Sequence, residues 1–423
     1  MKKLFFAAAL ILLFFSACSS RPVILDYCSF KPSTPDAQSN YPLEPMSDKT
    51  AMEYLADGKI LVGINMGNTF DAWGKNGAEV LSGEEVNWGN PQFNQEIFIG
   101  IKEAGFDMVR LPITWMGHMG PGPDYKISES YLKRISEVAV YAHNAGLKVI
   151  INIHHDGSCE KKGNTVVDNG WLSINRARVS QAEYDKVTFQ FARTWQQISA
   201  YFMNFGDWLI FEPFNELHDG GWGWSPESQQ RPQYDIINQW NQIFTMIVRE
   251  SGANNANRYL LIPGYVSSPK HTLADYFVLP VDSAADRQIV TFHYYDPWEF
   301  GIAGTRSEWG TDADKIKVDR DFAPFKAKFV DNKIPVIIGE SGAVKQLFPG
   351  DKAKESSAAR DRLDYLAHVF GKANQYGLIP VYWDNGSISG NGEKFGLFNR
   401  STGKANSDES KAIIEAMISA VKK

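Results

Sequence analysis

The sequence predicts an α/β fold, a single (β/α)8 TIM barrel that fills most of the chain. Two observations carry this. From residue 50 onward, short apolar runs alternate with longer amphipathic stretches, eight times over. Polar, chemistry-bearing residues then collect at the C-terminal ends of most of those runs. An open doubly wound sheet would gather ligand residues at one switch point, whereas a barrel brings every strand end to one mouth.

The runs come in order. The first is 60–67 (ILVGINMG), followed by a helix-like stretch at 94–105 that stops at Ala104-Gly105. The second is 106–115 (FDMVRLPITW), and a helix is expected over 128–146, where Leu132, Ile135, Val138, Ala139 and Ala142 share one face. The third and fourth runs are 148–155 (KVIINIHH) and 208–217 (WLIFEPFNEL), separated by a helix expected at 184–204. A helix at 235–251 leads to the fifth run, 258–265 (RYLLIPGY). The linker at 267–286 is irregular. The sixth run is 288–297 (QIVTFHYYDP), the seventh 334–342 (IPVIIGESG) and the eighth 378–386 (LIPVYWDNG), with helices expected at 355–376 and 408–422. Each run is short, and most are rich in Val, Ile and Leu, as strands buried on both faces are. No sequence repeat of fixed period underlies the pattern.

The chain has 423 residues and a net charge of −6, with 43% hydrophobic residues. That balance excludes a wholly disordered chain. Mild acidity without a basic run argues against nucleic acid as a partner. Aromatic residues are 13% of the chain, which suits either a large core or a surface that stacks on sugar rings.

The N-terminus reads as an export signal. Lys2 and Lys3 precede the apolar run Leu4 to Phe15, too short to span a membrane, and Ser16-Ala17-Cys18 follows. Phe15-Ser16-Ala17-Cys18 resembles a bacterial lipobox, which makes residues 1–17 a lipoprotein signal peptide and Cys18 the lipidated residue; ordinary cleavage near Ala17 is the alternative. Residues 18–49 carry five prolines among Ser, Thr and Asp and read as a tether or N-terminal arm, with the catalytic domain expected at 50–423. Export permits a disulfide between Cys28 and Cys159. Neither has a second Cys or a His at zinc-ligand spacing, so no structural zinc is expected.

The strand ends carry the chemistry. Run four ends Phe214-Asn215-Glu216 and run seven Ile338-Gly339-Glu340, a pair of carboxylates suited to hydrolysis of a glycosidic bond. Arg110 stands between Val109 and Leu111, where a charge needs a partner. Run three ends His154-His155-Asp156. Adjacent residues of a strand face opposite ways, which disfavours joint ligation of one metal. In His293-Tyr294-Tyr295, His293 and Tyr295 share a face and Tyr294 packs the other way. Trp383, at the end of run eight, is placed to be a sugar platform.

Arg110-Leu111-Pro112, His154, Asn215-Glu216, His293-x-Tyr295, Glu340 and Trp383, in this order, resemble glycoside hydrolase family five, a family of retaining barrel enzymes. Ile64 to Ala72 and Trp88-Gly89-Asn90-Pro91 resemble its endo-β-1,4-glucanase and xyloglucanase subgroup. Leu217 departs from the pattern, standing where the family usually has Pro after the Asn-Glu pair.

The resemblance covers roughly residues 50 to 420. It implies Glu216 as acid/base and Glu340 as nucleophile. It implies support from Arg110, His154, Asn215, His293 and Tyr295, and carboxylates about 5–5.5 Å apart. Asn65, His155, Trp222, Trp224, Trp298 and Trp383 are the expected substrate-binding residues, with Trp73 and Trp171 as further loop tryptophans. The expected partner is a β-glucan polysaccharide or oligosaccharide. No cofactor and no metal are expected, and the protein is expected to be a cell-surface or outer-membrane lipoprotein, otherwise secreted, and a monomer. Xyloglucanase or β-mannanase activity, a non-catalytic glycan-binding lipoprotein, and a metal-dependent hydrolase using His154, His155 and His293 remain open from sequence.

Overall fold

The computed structural model describes residues 41–422, except 77–78, 83–84, 164 and 225–230. Eight parallel strands close into a barrel: β1 (Gly63–Met66), β2 (Met108–Leu111), β3 (Lys148–Ile151), β4 (Leu209–Phe211), β5 (Leu260–Pro263), β6 (Gln288–Tyr294), β7 (Val336–Ser341) and β8 (Leu378–Asp384). Neighbours in sequence are neighbours in space, and β8 closes on β1 through Gly63↔Val381 and Asn65↔Trp383. All eight lie inside the runs expected from sequence.

Alternation along each strand divides the core in two. Met108, Ile150, Ile210, Leu261, Ile289, Ile337 and Val381 fill the barrel's interior. Their neighbours, such as Val109, Val149, Ile151, Phe211 and Ile338, face outward under the helices. Helix α1 (Ala51–Asp57) adds Ala51, Tyr54 and Leu55 to the interior cluster, which stoppers the barrel's N-terminal end. Its N-terminus is fixed by a capping box between Thr50 and Glu53.

The outer layer is α2 (Gln95–Glu103), α3 (Glu129–Asn144), α4 (Gln181–Phe202), α5 (Arg231–Glu250), α6 (Asp312–Lys328), α7 (Lys352–Gln375) and α8 (Asp408–Val421). Sequence reasoning missed α6. Only Val318, Phe322 and Phe325 are buried on it and Pro324 lies inside it, so its apolar stripe is weak. Two antiparallel hairpins on the loops after β1 and β3 were also missed, Trp73–Asn76 with Glu79–Ser82 and Cys159–Lys162 with Thr165–Asp168. Trp73 therefore begins a strand.

The proposed signal peptide, Cys18 and Cys28 lie outside the described residues. The end of the 18–49 segment is held on the barrel: Glu44 Oε2 accepts from Gly206 N and from Trp208 Nε1, both at 2.6 Å. Cys159 is buried, with Sγ 3.6 Å from His218 Nδ1.

Candidate active site

Above the apolar interior lies one polar layer, organised by Arg110. This guanidinium is fully buried on β2. Its Nε donates to Glu212 Oε2 (2.6 Å), Nη1 to Glu340 Oε1 (2.7 Å) and to Asn65 Oδ1 (3.0 Å), and Nη2 to Asn215 Oδ1 (2.8 Å). A planar fork can hold partners from β1, β4 and β7 at once, which an ammonium could not.

Asn65 is thereby corrected. It was expected to bind substrate, but it is wholly buried and its amide donates to Gly339 O (2.9 Å) and Tyr382 O (3.2 Å) while accepting from Arg110. It orients Arg110 and cannot reach a sugar. Glu212, one residue past β4, was missed by sequence reasoning. It is a charge inside an apolar run, the same signal that singled out Arg110.

Glu340 reaches the layer through a bulge. Phe292 pairs with Ile338 but His293 pairs with Glu340, so Gly339 is an extra residue in β7. The bulge aims Glu340 at the mouth. Its Oε2 accepts the Tyr295 hydroxyl at 2.9 Å, and Oε1 accepts Arg110. His293 Nδ1 lies 2.5 Å from Glu216 Oε1 and 3.6 Å from Glu340 Oε2. Tyr294 packs outward on Phe322 and donates to Asp321, as expected from alternation.

One oxygen of Glu216 and one of Glu340 lie within 4.8 Å of each other. So close an approach fits the carboxyl separation of about 5–5.5 Å in a retaining pair; an inverting pair stands about 6.5 Å or more apart to admit a water. The environments of the two carboxyls differ. Burial pushes Glu216 up to about 7, with Arg110 and His155 acting against it. Burial also raises Glu340, but there the Arg110 charge opposes it, and Arg110 and Tyr295 both bond the carboxylate directly. Of the two, Glu340 is the one held as an anion and Glu216 the one able to keep a proton near neutrality. Burial drives His293 down to about 4 and His154 well below the usual imidazole range, so both rings are neutral.

His154, at the end of β3, has Nε2 4.0 Å from Glu340 Oε1. Its tautomer is set from behind. Asn152 Oδ1 accepts from Ile113 N (3.0 Å), so Asn152 Nδ2 is the donor facing His154 Nδ1 at 3.1 Å. The ring proton then sits on Nε2, pointing to the mouth. Asp71, His154 and His155 could offer three metal-ligand atoms within 4.8 Å. An Nε2–H on His154 suits sugar hydroxyls and not a cation.

The expected platforms divide. Trp383 is 8% exposed, lies parallel to His154 at 5.8 Å and leans on Gly67, where a Cβ would come within 2.6 Å of the indole. Trp222 is 47% exposed and stacks on His218 at 3.8 Å, Trp298 is 50% exposed, and Trp224, at 73%, is the most open. Trp171 is an anchor, its Nε1 donating to Asp156 at 2.6 Å. Trp88 was not expected as a platform. It is 40% exposed beside His155, ring centroids 5.5 Å apart, with its Nε1 tied to Trp73 O. Leu217, the departure from the family pattern, is buried against Gly157, where any Cβ would strike it.

Residues 73–389 match the cellulase family, glycosyl hydrolase family 5. The chain belongs to this family. It is 34% identical over 379 residues to endoglucanase A of Paenibacillus barcinonensis, covering 84% of this chain and 87% of that one. Among solved structures, a GH5-4 broad specificity endoglucanase from Bacteroides salanitronis superposes with TM-score 0.78 at 37% identity, covering 90% of this chain and 98% of that one. A Bacteroides ovatus GH5 xyloglucanase in complex with a XXXG heptasaccharide gives TM-score 0.78 at 28% identity, covering 93% and 81%. Family membership together with its endoglucanase relatives makes the chain a glycoside hydrolase of the endo-β-1,4-glucanase type.

Proposed function

We propose that this endoglucanase cleaves internal β-1,4-glucosidic bonds of a soluble or branched β-glucan by double displacement, with Glu216 as acid/base and Glu340 as nucleophile. The carrying observation is the close carboxylate pair whose members have different partners: Glu340 on Arg110 and Tyr295 and, among the described residues, Glu216 on His293 alone. Glu216 protonates the leaving oxygen as Glu340 attacks the anomeric carbon. Glu216 then takes a proton from a water that attacks the anomeric carbon and breaks its bond to Glu340, which releases the sugar with its configuration retained. Asn215 Oδ1 is taken by Arg110, which leaves Nδ2 to donate to the hydroxyl beside the reacting carbon. His154 Nε2–H serves a sugar hydroxyl, and Trp383 floors the subsite of the attacked ring.

One observation favours a branched xyloglucan chain over plain cellulose. A recess of about 450 Å³ opens between the loops after β6, β7 and β8, lined by Ile302, Leu347, Phe348 and Glu393 among others. Ile302 and Val344 of that recess pack with Trp383 and Tyr295, so it adjoins the reacting site. Such a space accepts a branch sugar that a bare glucan would leave empty. The relative bound to a xyloglucan heptasaccharide supports the reading.

The lipobox-like Phe15 to Cys18 supports export and a lipid anchor at the cell surface or outer membrane. The test of the activity is hydrolysis of carboxymethyl cellulose, mixed-linkage glucan, xyloglucan, glucomannan and xylan beside Glu340→Gln. Viscosity falls faster than reducing ends appear, xyloglucan is cleaved best, and the variant is inactive. Cleavage by the variant, or of no polymer at all, contradicts the proposal.

A further inference from the structure

Three buried polar atoms beneath the two carboxylates have no hydrogen-bond partner among the described residues: Glu212 Oε1, Thr291 Oγ1 and His293 Nε2. A dry, unpaired polar atom is costly, so three together call for an occupant. Two of them, Thr291 Oγ1 and His293 Nε2, border one space, and Glu212 shares the barrel interior with them. Phe292 packs outward on Phe325, so Thr291 and His293 both face the barrel interior. Gly339, the bulge residue, lies between them: a Cβ there would stand 2.7 Å from Thr291 Oγ1 and 3.1 Å from His293 Nε2. Glu212 enters the same interior from β4, its other oxygen on Arg110, and its charge acts on His293.

The protonation pattern says what is missing. His293 is neutral and has one ring proton. For Glu216 to direct its own proton at the leaving oxygen, Nδ1–H must donate to Glu216 Oε1. Nε2 is then a lone pair that needs a donor. One water closes the count. It donates one hydrogen to His293 Nε2 and the other to Glu212 Oε1, and it accepts the Thr291 hydroxyl.

We propose that Glu212 and Thr291, in the space left by Gly339, hold a buried water that donates to His293 Nε2 and so makes His293 the fixed donor that sets the acidity of Glu216. The inference rests on the hydrolase reading above and deepens it. Thr291 and Glu212 are positioning residues; they act through His293 and touch no sugar. The other groups that act on Glu216 are Arg110, His155, Tyr295, Glu340 and Glu393. None of them changes when Thr291 is altered.

The test is the pH dependence of kcat and kcat/KM for wild type, Thr291→Val and Thr291→Ser. Donation from Nδ1–H favours the Glu216 anion. Weakening it lets Glu216 keep its proton to higher pH. Thr291→Val is therefore expected to move the alkaline limb of kcat/KM upward by about 0.5 unit, to lower kcat about tenfold and to change KM less than about twofold. Thr291→Ser restores all three. A crystal structure of the wild type at high resolution is expected to show a water bonded to all three atoms, a measurement that stands even if the Val variant does not fold. An unmoved or lowered alkaline limb in a folded Val variant overturns the inference, as does a wild-type map with no water on these atoms. Failure of the wild type to cleave any glucan would instead overturn the hydrolase reading, so the two failures are distinct.

Discussion

Arg110 and Glu212 form an ion pair with no solvent exposure on either side chain, Nε to Oε2 at 2.6 Å, directly beneath the proposed nucleophile. Arg110 is shared with Glu340, so the layer holds two carboxylates against one guanidinium. Removing Glu212 leaves Glu340 as the guanidinium's remaining carboxylate but strands the buried Arg110 Nε–H without its acceptor, and a buried hydrogen bond to a charged group contributes about 1.5–3 kcal/mol. Glu212→Ala is therefore expected to destabilise the protein by about 2 kcal/mol in urea denaturation. A loss below about 1 kcal/mol would show that Glu340 alone suffices to hold Arg110.

Arg110→Lys tests geometry at constant charge. Lysine has no fork to bridge Glu212, Asn65, Glu340 and Asn215 together. A fall in kcat of about 100-fold with a smaller change in KM is expected, because the nucleophile loses its orientation. Wild-type kcat in the variant would mean that only the charge matters.

Glu216 ties activity and stability to pH. Its carboxyl is raised from 4.5 to about 7 by burial, so the alkaline limb of kcat/KM is expected near pH 7. The stability sign follows. The folded state holds this proton more tightly than the unfolded chain does, so its contribution is complete below 4.5 and is lost as pH rises through about 7. The gap is worth up to about 3 kcal/mol. Glu216→Gln escapes that loss. Its melting temperature is expected to exceed wild type at pH 8 and to match it at pH 4. A variant less stable than wild type at both pH values would contradict the assignment.

Trp224 is the most open of the expected sugar platforms, whereas Trp222 is half covered by His218. A stacking ring contributes about 1 kcal/mol. Trp224→Ala is expected to raise KM for a polymeric glucan about fivefold and leave kcat on a short oligosaccharide unchanged. Equal KM values on the polymer would remove Trp224 from the binding surface.

Cys18→Ala tests the anchor. The wild type is expected in the membrane fraction of an expressing Gram-negative host and labelled by a fatty-acid probe, and the variant unlabelled. An unlabelled wild type would point to ordinary cleavage near Ala17.

The barrel was legible because strands buried on both faces read as uninterrupted apolar runs, and the run boundaries contained every barrel strand. The site was legible where a polar residue interrupts or ends such a run, as at Arg110, Glu216, His293 and Glu340. Glu212 carried the same signal inside Trp208 to Phe214 and was overlooked. Asn65 was placed correctly at a strand end but given the wrong task, because sequence position does not reveal that its amide is saturated by Gly339, Tyr382 and Arg110. Helix α6 hid behind a weak apolar stripe, and the two hairpins behind short, polar strands. Trp88 was visible as a residue, but its nearness to His155 comes only from the fold.

The central claim is double displacement by a close pair, and the most direct measurement is the anomeric form of the sugar first released. Proton NMR of a cello- or xyloglucan-oligosaccharide digest, read before mutarotation, is predicted to show the β-anomer appearing first, with Glu340→Gln releasing none. An α-anomer appearing first would mean a single displacement by water and would contradict both the role of Glu340 and the reading of the short Glu216–Glu340 spacing.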